Sequence, residues 1–167
     1  MSILLNSPHP LFEQPLLDDL PVRHLCDLRV ALEMPRAIPT PRGTVVPYIG
    51  KGGRLDGPKL SGEFLPGSVD WVLIGNDGIS RLDVRGAMRT DDGALIAFES
   101  KGIAKLPPDG RARLAKGERL AFSETYLRTT PRFETSDEHY LWLNGLVLVG
   151  YNELSAGQID FRIYQVL

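Results

Sequence analysis

Asp70-Trp71-Val72-Leu73-Ile74 runs into Asn76-Asp77-Gly78, then into Ile79-Ser80-Arg81-Leu82-Asp83-Val84-Arg85-Gly86-Ala87-Met88-Arg89, and after Asp91-Asp92-Gly93 into Ala94–Lys101. Asn-Asp-Gly and Asp-Asp-Gly supply the residues that accept the backbone conformations of tight hairpin turns. Between the turns, Ser80, Leu82, Val84 and Met88 alternate with Arg81, Asp83, Arg85 and Arg89. A period of two puts the apolar set on one side of a strand and the charged set on the other. Strands joined by hairpins are antiparallel neighbours.

The same pattern extends in both directions. Upstream, Cys26, Leu28, Val30 and Leu32 alternate with Asp27, Arg29, Ala31 and Glu33. Thr44–Ile49 is rich in β-formers, and its Pro47 points to an edge or bulged position. Gly50, Gly52, Gly53, Gly57 and Pro58 read as a turn-rich link, Lys59–Leu65 as a short strand and Leu65-Pro66-Gly67 as its turn. Downstream, residues 102–117 form an excursion with one helical turn in the basic run Arg111–Lys116. A long strand is expected over Glu118–Thr130, closed by Pro131, and a short helix from Ser136 through Asn144, its early amides capped by a serine or aspartate side chain. Leu146–Tyr151 and Gln158–Leu167 complete about nine strands with almost no helix.

Such a chain is expected to be all-β: a single closed or nearly closed antiparallel β-barrel of about 8–10 strands, lipocalin-like in shape, with a short helical turn. A sandwich would use the same turns, but strands charged on one face and apolar on the other suit a barrel with room for one small ligand. The barrel domain is residues 22–167. Residues 1–21, broken by Pro8, Pro10, Pro15 and Pro21, read as an arm.

Composition narrows the function. The 167 residues are 43% hydrophobic and 24% charged with a net charge of −2, which fits a globular domain and lacks the basic footprint of a nucleic-acid binder. No run approaches the ~20 apolar residues of a membrane helix, and the N-terminus lacks a signal peptide's charged start, so a cytoplasmic protein is expected. Cys26, the single cysteine, forms no internal disulfide and reads as a small buried hydrophobe. His9, His24 and His139 lack ligand spacing, so neither metal nor cofactor is expected.

Candidate chemistry comes from carboxylates, arginines and aromatics in phase. Asp83 and Arg85 share one strand face, as do Glu124, Tyr126 and Arg128. Inside a barrel they would bind an oxyanion and move a proton; outside they would be cross-strand ion pairs. Glu63 stands in an otherwise nearly uncharged strand, whereas Asp70, beside Trp71, reads as a turn-fixing side chain. Arg128 to Glu134, with Phe133, and Tyr140-Leu141-Trp142-Leu143-Asn144 combine aromatic walls with donors and acceptors, the composition of a pocket or of a barrel plug.

Several of these blocks, namely Gly52–Glu63, Leu65–Trp71, Asp83-Val84-Arg85, Arg89–Ile96, Tyr126–Thr135 and Tyr140–Asn144, resemble the domain of unknown function 3237 family, over roughly Leu25 to Leu167. Ser68-Val69 departs mildly from a Gly-Ala-like pair. The resemblance implies a small antiparallel β-barrel and an accessory role in small-molecule metabolism.

Together these features give an expected function: a cofactor-independent enzyme of isomerase, cyclase or lyase type acting on a small aromatic or carbonyl compound. Glu63, Glu134 and Arg128 are the catalytic candidates, and Asp83, Arg85, Tyr126, Phe133, Trp142, Asn144 and Trp71 the substrate-binding ones. Glu63, Asp83, Arg85, Arg128 and Glu134 are expected to converge at one mouth or in the lumen. The alternatives are a carrier of a small apolar ligand, or an interaction protein with a filled barrel. A small organic ligand is the expected partner, without nucleic acid or membrane, and a dimer is compatible with the chain.

Overall fold

The structure, a computed structural model, describes residues 19–167, so the arm expected over residues 1–21 lies almost wholly outside the described residues. Ten strands follow in chain order: β1 (Val22–Leu32), β2 (Ile38–Thr40), β3 (Gly43–Asp56), β4 (Gly62–Phe64), β5 (Val69–Gly75), β6 (Ser80–Thr90), β7 (Leu95–Lys105), β8 (Tyr126–Glu134), β9 (Leu148–Ser155) and β10 (Gln158–Val166). The helical elements are α1 (Gly110–Ala115) and 3-10 turns at Phe122–Glu124 and Leu141–Gly145. Among the described residues no helix is long and apolar enough to cross a membrane.

Antiparallel ladders run β1–β10–β9–β8–β7–β6. β6 pairs with both β4 and β5, these pair with opposite ends of β3, and β3 returns to β1. Because β4 and β5 share one place in the wall, the sheet closes as an eight-stranded barrel with β2 attached to the outer part of β3. Closure satisfies the strand edges that an open sheet would expose.

Three local expectations are corrected. The glycines from Gly50 to Gly53 do not form a link; β3 runs unbroken through them. A Cβ on Gly53 would lie 2.0 Å from the Arg29 carbonyl oxygen of β1, and Gly52 adopts a φ of +108°. These glycines let a bent strand pass close to its neighbour, which a side chain would prevent. The expected strand over Glu118–Thr130 is loop and 3-10 turn in its first half; β8 begins only at Tyr126 and continues through Pro131 to Glu134. Pro131 is tolerated because the β8–β9 ladder stops at Thr129, leaving no bond on that side for a missing N–H to break. The helix expected from Ser136 shrinks to the 3-10 turn at Leu141–Gly145, preceded by a turn in which Asp137 Oδ1 accepts the His139 N–H at 3.0 Å.

Side-chain alternation divides inside from outside. β6 turns Ser80, Val84, Met88 and Thr90 into the barrel and Arg81, Arg85 and Arg89 to solvent. The interior has two halves. In the lower half Cys26, Leu55, Met88, Ile96, Phe133, Leu148 and Ile163 pack solidly. Burial pushes the Cys26 thiol up to about 12, which makes it inert, as a small core hydrophobe should be. Phe98 forms the floor of the upper half, its ring centroid 5.4 Å from Phe64 and Phe133 and 6.2 Å from Phe161. Each buried ring contributes about 1.5–3 kcal/mol by leaving water, and edge-on pairing adds about 0.5–1.5 kcal/mol. Above this floor the barrel is not filled.

Candidate active site

The upper half encloses a cavity of about 280 Å³, and α1 lies across its end. Val30, Val72, Val84, Leu127 and Ile159 are among the apolar side chains of its wall, and Phe64 and Phe161 join Phe98 in its floor. Five polar side chains interrupt this surface: Tyr48, Ser68, Asp70, Ser80 and Arg111.

Asp70 enters the cavity because it is in phase with Val72 and Ile74 on β5. Its cross-strand neighbours are Tyr48 on β3 and Val84 on β6. The β5–β6 ladder is interrupted beside it: Val69 and Asp70 pair with Arg85 and Val84, and pairing resumes only at Leu73 and Arg81. At this gap the Asp83 backbone N–H donates to Asp70 Oδ1 at 3.0 Å. The bond fixes the carboxyl on the wall. Enclosure in apolar surroundings raises its pKa to about 7; the Asp83 N–H opposes the rise, and the nearby Asp83 charge adds to it. A carboxyl that titrates near neutral pH can both accept and return a proton.

The Tyr48 phenol is also raised by burial, with the Arg111 charge opposing and Asp70 reinforcing the shift. Beside Asp70 it is therefore a neutral O–H that can donate to a substrate oxygen. Ser68 and Ser80 add buried hydroxyls to the same wall.

Glu63, Asp83, Arg85, Arg128 and Glu134, expected to converge at one mouth or in the lumen, lie instead on the outer face of the barrel wall. Strand parity is the reason. On β4, Phe64 points in and Glu63 out, where it pairs with Arg89, Nε to Oε1 at 2.7 Å. On β6, inward Val84 puts Asp83 and Arg85 outside. On β8, inward Leu127, Thr129, Pro131 and Phe133 leave Tyr126, Arg128 and Glu134 outside. An ion-pair chain crosses that outer wall from Asp83 to Arg85 (3.6 Å), Arg85 to Glu99, Glu99 to Arg132 (3.9 Å) and Arg132 to Glu134 (3.6 Å). Exposed pairs of this kind contribute about 0–1 kcal/mol each.

Arg128 is held by outer aromatics, its guanidinium 4.3 Å from the Phe122 ring centroid, 4.4 Å from Tyr151 and 5.1 Å from Tyr126. Trp71 is 54% exposed on the outside of β5. Asn144 clamps a loop, accepting the Thr135 N–H at 2.9 Å and donating to the Thr135 carbonyl at 2.8 Å, and Trp142 Nε1 donates to the His139 carbonyl at 3.0 Å. Of the ten candidates only Phe133 points inward, into the packed lower half.

The sequence-based assignment therefore misses the cavity's own polar residues. In the sequence Asp70 reads as a turn residue and Arg111 as part of a basic loop, and no motif marks Tyr48. One signal identifies Asp70: it alternates in phase with Val72 and Ile74, a carboxyl on the core face of a strand.

Comparison with known proteins bears on the barrel as a whole. The family model described as "Protein of unknown function (DUF3237)" matches residues 21–166. UPF0311 protein RPA1785 of Rhodopseudomonas palustris is 33% identical over 123 residues, covering 74% of this chain and 79% of that protein. Its crystal structure superposes with a TM-score of 0.84 at 28% identity, over 90% of this chain and all of that one. A beta-barrel like protein from Acinetobacter baumannii gives a TM-score of 0.77 at 27% identity, over 92% of this chain and all of its own. An enzyme from Penicillium herquei gives 0.67 at 19% identity, over 94% and 100% of the two chains, a likeness of fold.

Proposed function

The chain belongs to the DUF3237 family, and we propose that it is an enzyme that moves a proton on a small, largely apolar compound held in the upper half of the barrel. The observation that carries this is Asp70: a carboxyl fixed by the Asp83 N–H, enclosed by apolar walls and titrating at about 7. In the ionised form it takes a proton from a C–H or O–H made acidic by a neighbouring carbonyl or aromatic ring. The electron pair left behind moves onto the substrate oxygen, to which Tyr48 donates a hydrogen bond. Asp70, now protonated, returns the proton at a second position. No proton is gained or lost overall, as isomerisation or ring closure requires. The barrel shared with the Penicillium herquei enzyme is compatible with this chemistry.

The apolar excess of the cavity wall also suits a carrier that holds its ligand unchanged. Proton exchange separates the two. With 1-indanone or 2-tetralone in heavy water, followed by NMR, the wild type is expected to accelerate exchange of the C–H beside the carbonyl, with the rate rising through pH 7. Asp70→Asn removes the acceleration and Glu134→Gln leaves it intact. Equal exchange rates with wild type and Asp70→Asn overturn the enzyme reading in favour of the carrier.

A further inference from the structure

α1 is held in place from both sides. At its start Gly110 is buried; a Cβ there would stand 3.0–3.2 Å from Pro107, Leu106 and Leu120, so the helix sits tightly against the barrel at this point. Towards its end Arg113 is clamped by Glu118 at 2.9 Å and Glu124 at 2.7 Å. Arg111 and Leu114, three residues apart and so on one face of the helix, are the α1 side chains that line the cavity.

The two arginines of this helix thus have different surroundings. Arg113 is neutralised by two carboxylates. Arg111, exposed at the rim, has no carboxylate within ion-pair distance among the described residues. The ionisable groups facing it across the cavity are Tyr48 on β3 and Asp70 on β5. Burial raises the Tyr48 phenol above its ordinary value, so it is uncharged throughout the neutral range, and Asp70 joins it in the uncharged form as pH falls below about 7. What remains is a fixed cation over an apolar chamber.

We propose that the ligand of this cavity is a monoanion with an apolar body, its charged group seated against Arg111 at the rim and its body on the floor made by Phe64, Phe98 and Phe161. A neutral ligand could accept a hydrogen bond from Arg111 but would leave its charge unbalanced, and a cationic one would be repelled; an anion both accepts the bond and neutralises the guanidinium as it is desolvated. The volume of about 280 Å³ admits a body of about two fused rings. The proposal rests on the cavity being the ligand site and specifies the class of compound that enters it.

Calorimetric titration with 1-naphthoate and its neutral isostere 1-naphthamide tests this. The wild type is expected to bind 1-naphthoate about ten-fold more tightly, a preference that weakens in high salt. Arg111→Met removes the preference by weakening 1-naphthoate alone, and Arg111→Lys retains part of it. Equal affinity for the two compounds in the wild type, or an equal loss of both in Arg111→Met, overturns the anion assignment and leaves the cavity as ligand site. Binding of neither compound overturns both.

Discussion

Asp70 and Asp77 stand seven residues apart on one hairpin and differ in every property that matters to function. Each accepts a backbone N–H, Asp70 from Asp83 and Asp77 from Ile79, both at 3.0 Å. Asp77 lies outside, where Arg81 binds both its oxygens at 3.2 and 2.7 Å and holds its pKa down to about 2. Asp70 lies inside, where no guanidinium pairs with it and burial raises it to about 7. The backbone bond is common to both, so it does not set the difference. Solvent and a cation on one side of the wall, and hydrocarbon on the other, make one aspartate a structural anion and give the other the near-neutral pKa that the proposed proton transfer uses.

The largest expected effect comes from removing the inner carboxyl. A pKa raised above the unfolded value means that the folded protein holds a proton which the unfolded chain has lost. Asp70 therefore weakens stability as pH rises from about 4 to about 7, and the loss is complete above that. Asp70→Asn, which keeps an acceptor for the Asp83 N–H, is expected to be more stable than the wild type at pH 8 by about 4 kcal/mol relative to their difference at pH 3. Urea denaturation at the two pH values measures it. An unchanged difference between pH 3 and pH 8 would break the contrast with Asp77.

Asp77→Asn is expected to act in the opposite direction. A depressed pKa adds stability above the unfolded value of about 4 that is lost as pH falls through about 2. The variant should melt below the wild type at pH 7 and level with it at pH 1.5, and because the site is fully exposed the deficit should shrink in high salt.

How far the barrel was legible in the sequence follows from the same parity. The alternation in β6 separated Ser80, Val84 and Met88 from Arg81, Asp83 and Arg85, and the turns at Asn76-Asp77-Gly78 and Asp91-Asp92-Gly93 fixed its neighbours. Parity alone does not say which face of an isolated strand is the lumen when both carry useful side chains. On β8, Leu127, Thr129 and Phe133 compete with Tyr126 and Arg128, and the aromatic surroundings of Arg128 lie outside. The site was harder to find because it is assembled from β3, β5 and α1, three elements distant in sequence and with no shared motif. Tyr48 and Asp70 meet only through the β3–β5 register, and Arg111 only through the seat of α1 on Leu106 and Leu120.

Smaller effects sharpen the comparison. Asp83→Asn removes an outer charge that raises Asp70 and keeps the backbone N–H that holds it, so the Asp70 midpoint should fall slightly. The shift should fade in high salt, since Asp83 is partly exposed. Glu134→Gln, at the end of the outer ion-pair chain and 62% exposed, should change stability by no more than about 0.5 kcal/mol in urea denaturation. A loss above about 2 kcal/mol would mean that the outer wall carries weight assigned here to the floor of Phe64, Phe98 and Phe161.

Carboxyl-carbon NMR of protein labelled at aspartate, with Asp70 assigned by its loss in Asp70→Asn, follows the inner carboxyl directly through its titration. A midpoint near 7 is predicted, alongside Asp77 near 2 in the same spectra. An Asp70 midpoint at the ordinary value of about 3.9 would contradict the proton-carrier role, whatever the barrel then proved to hold.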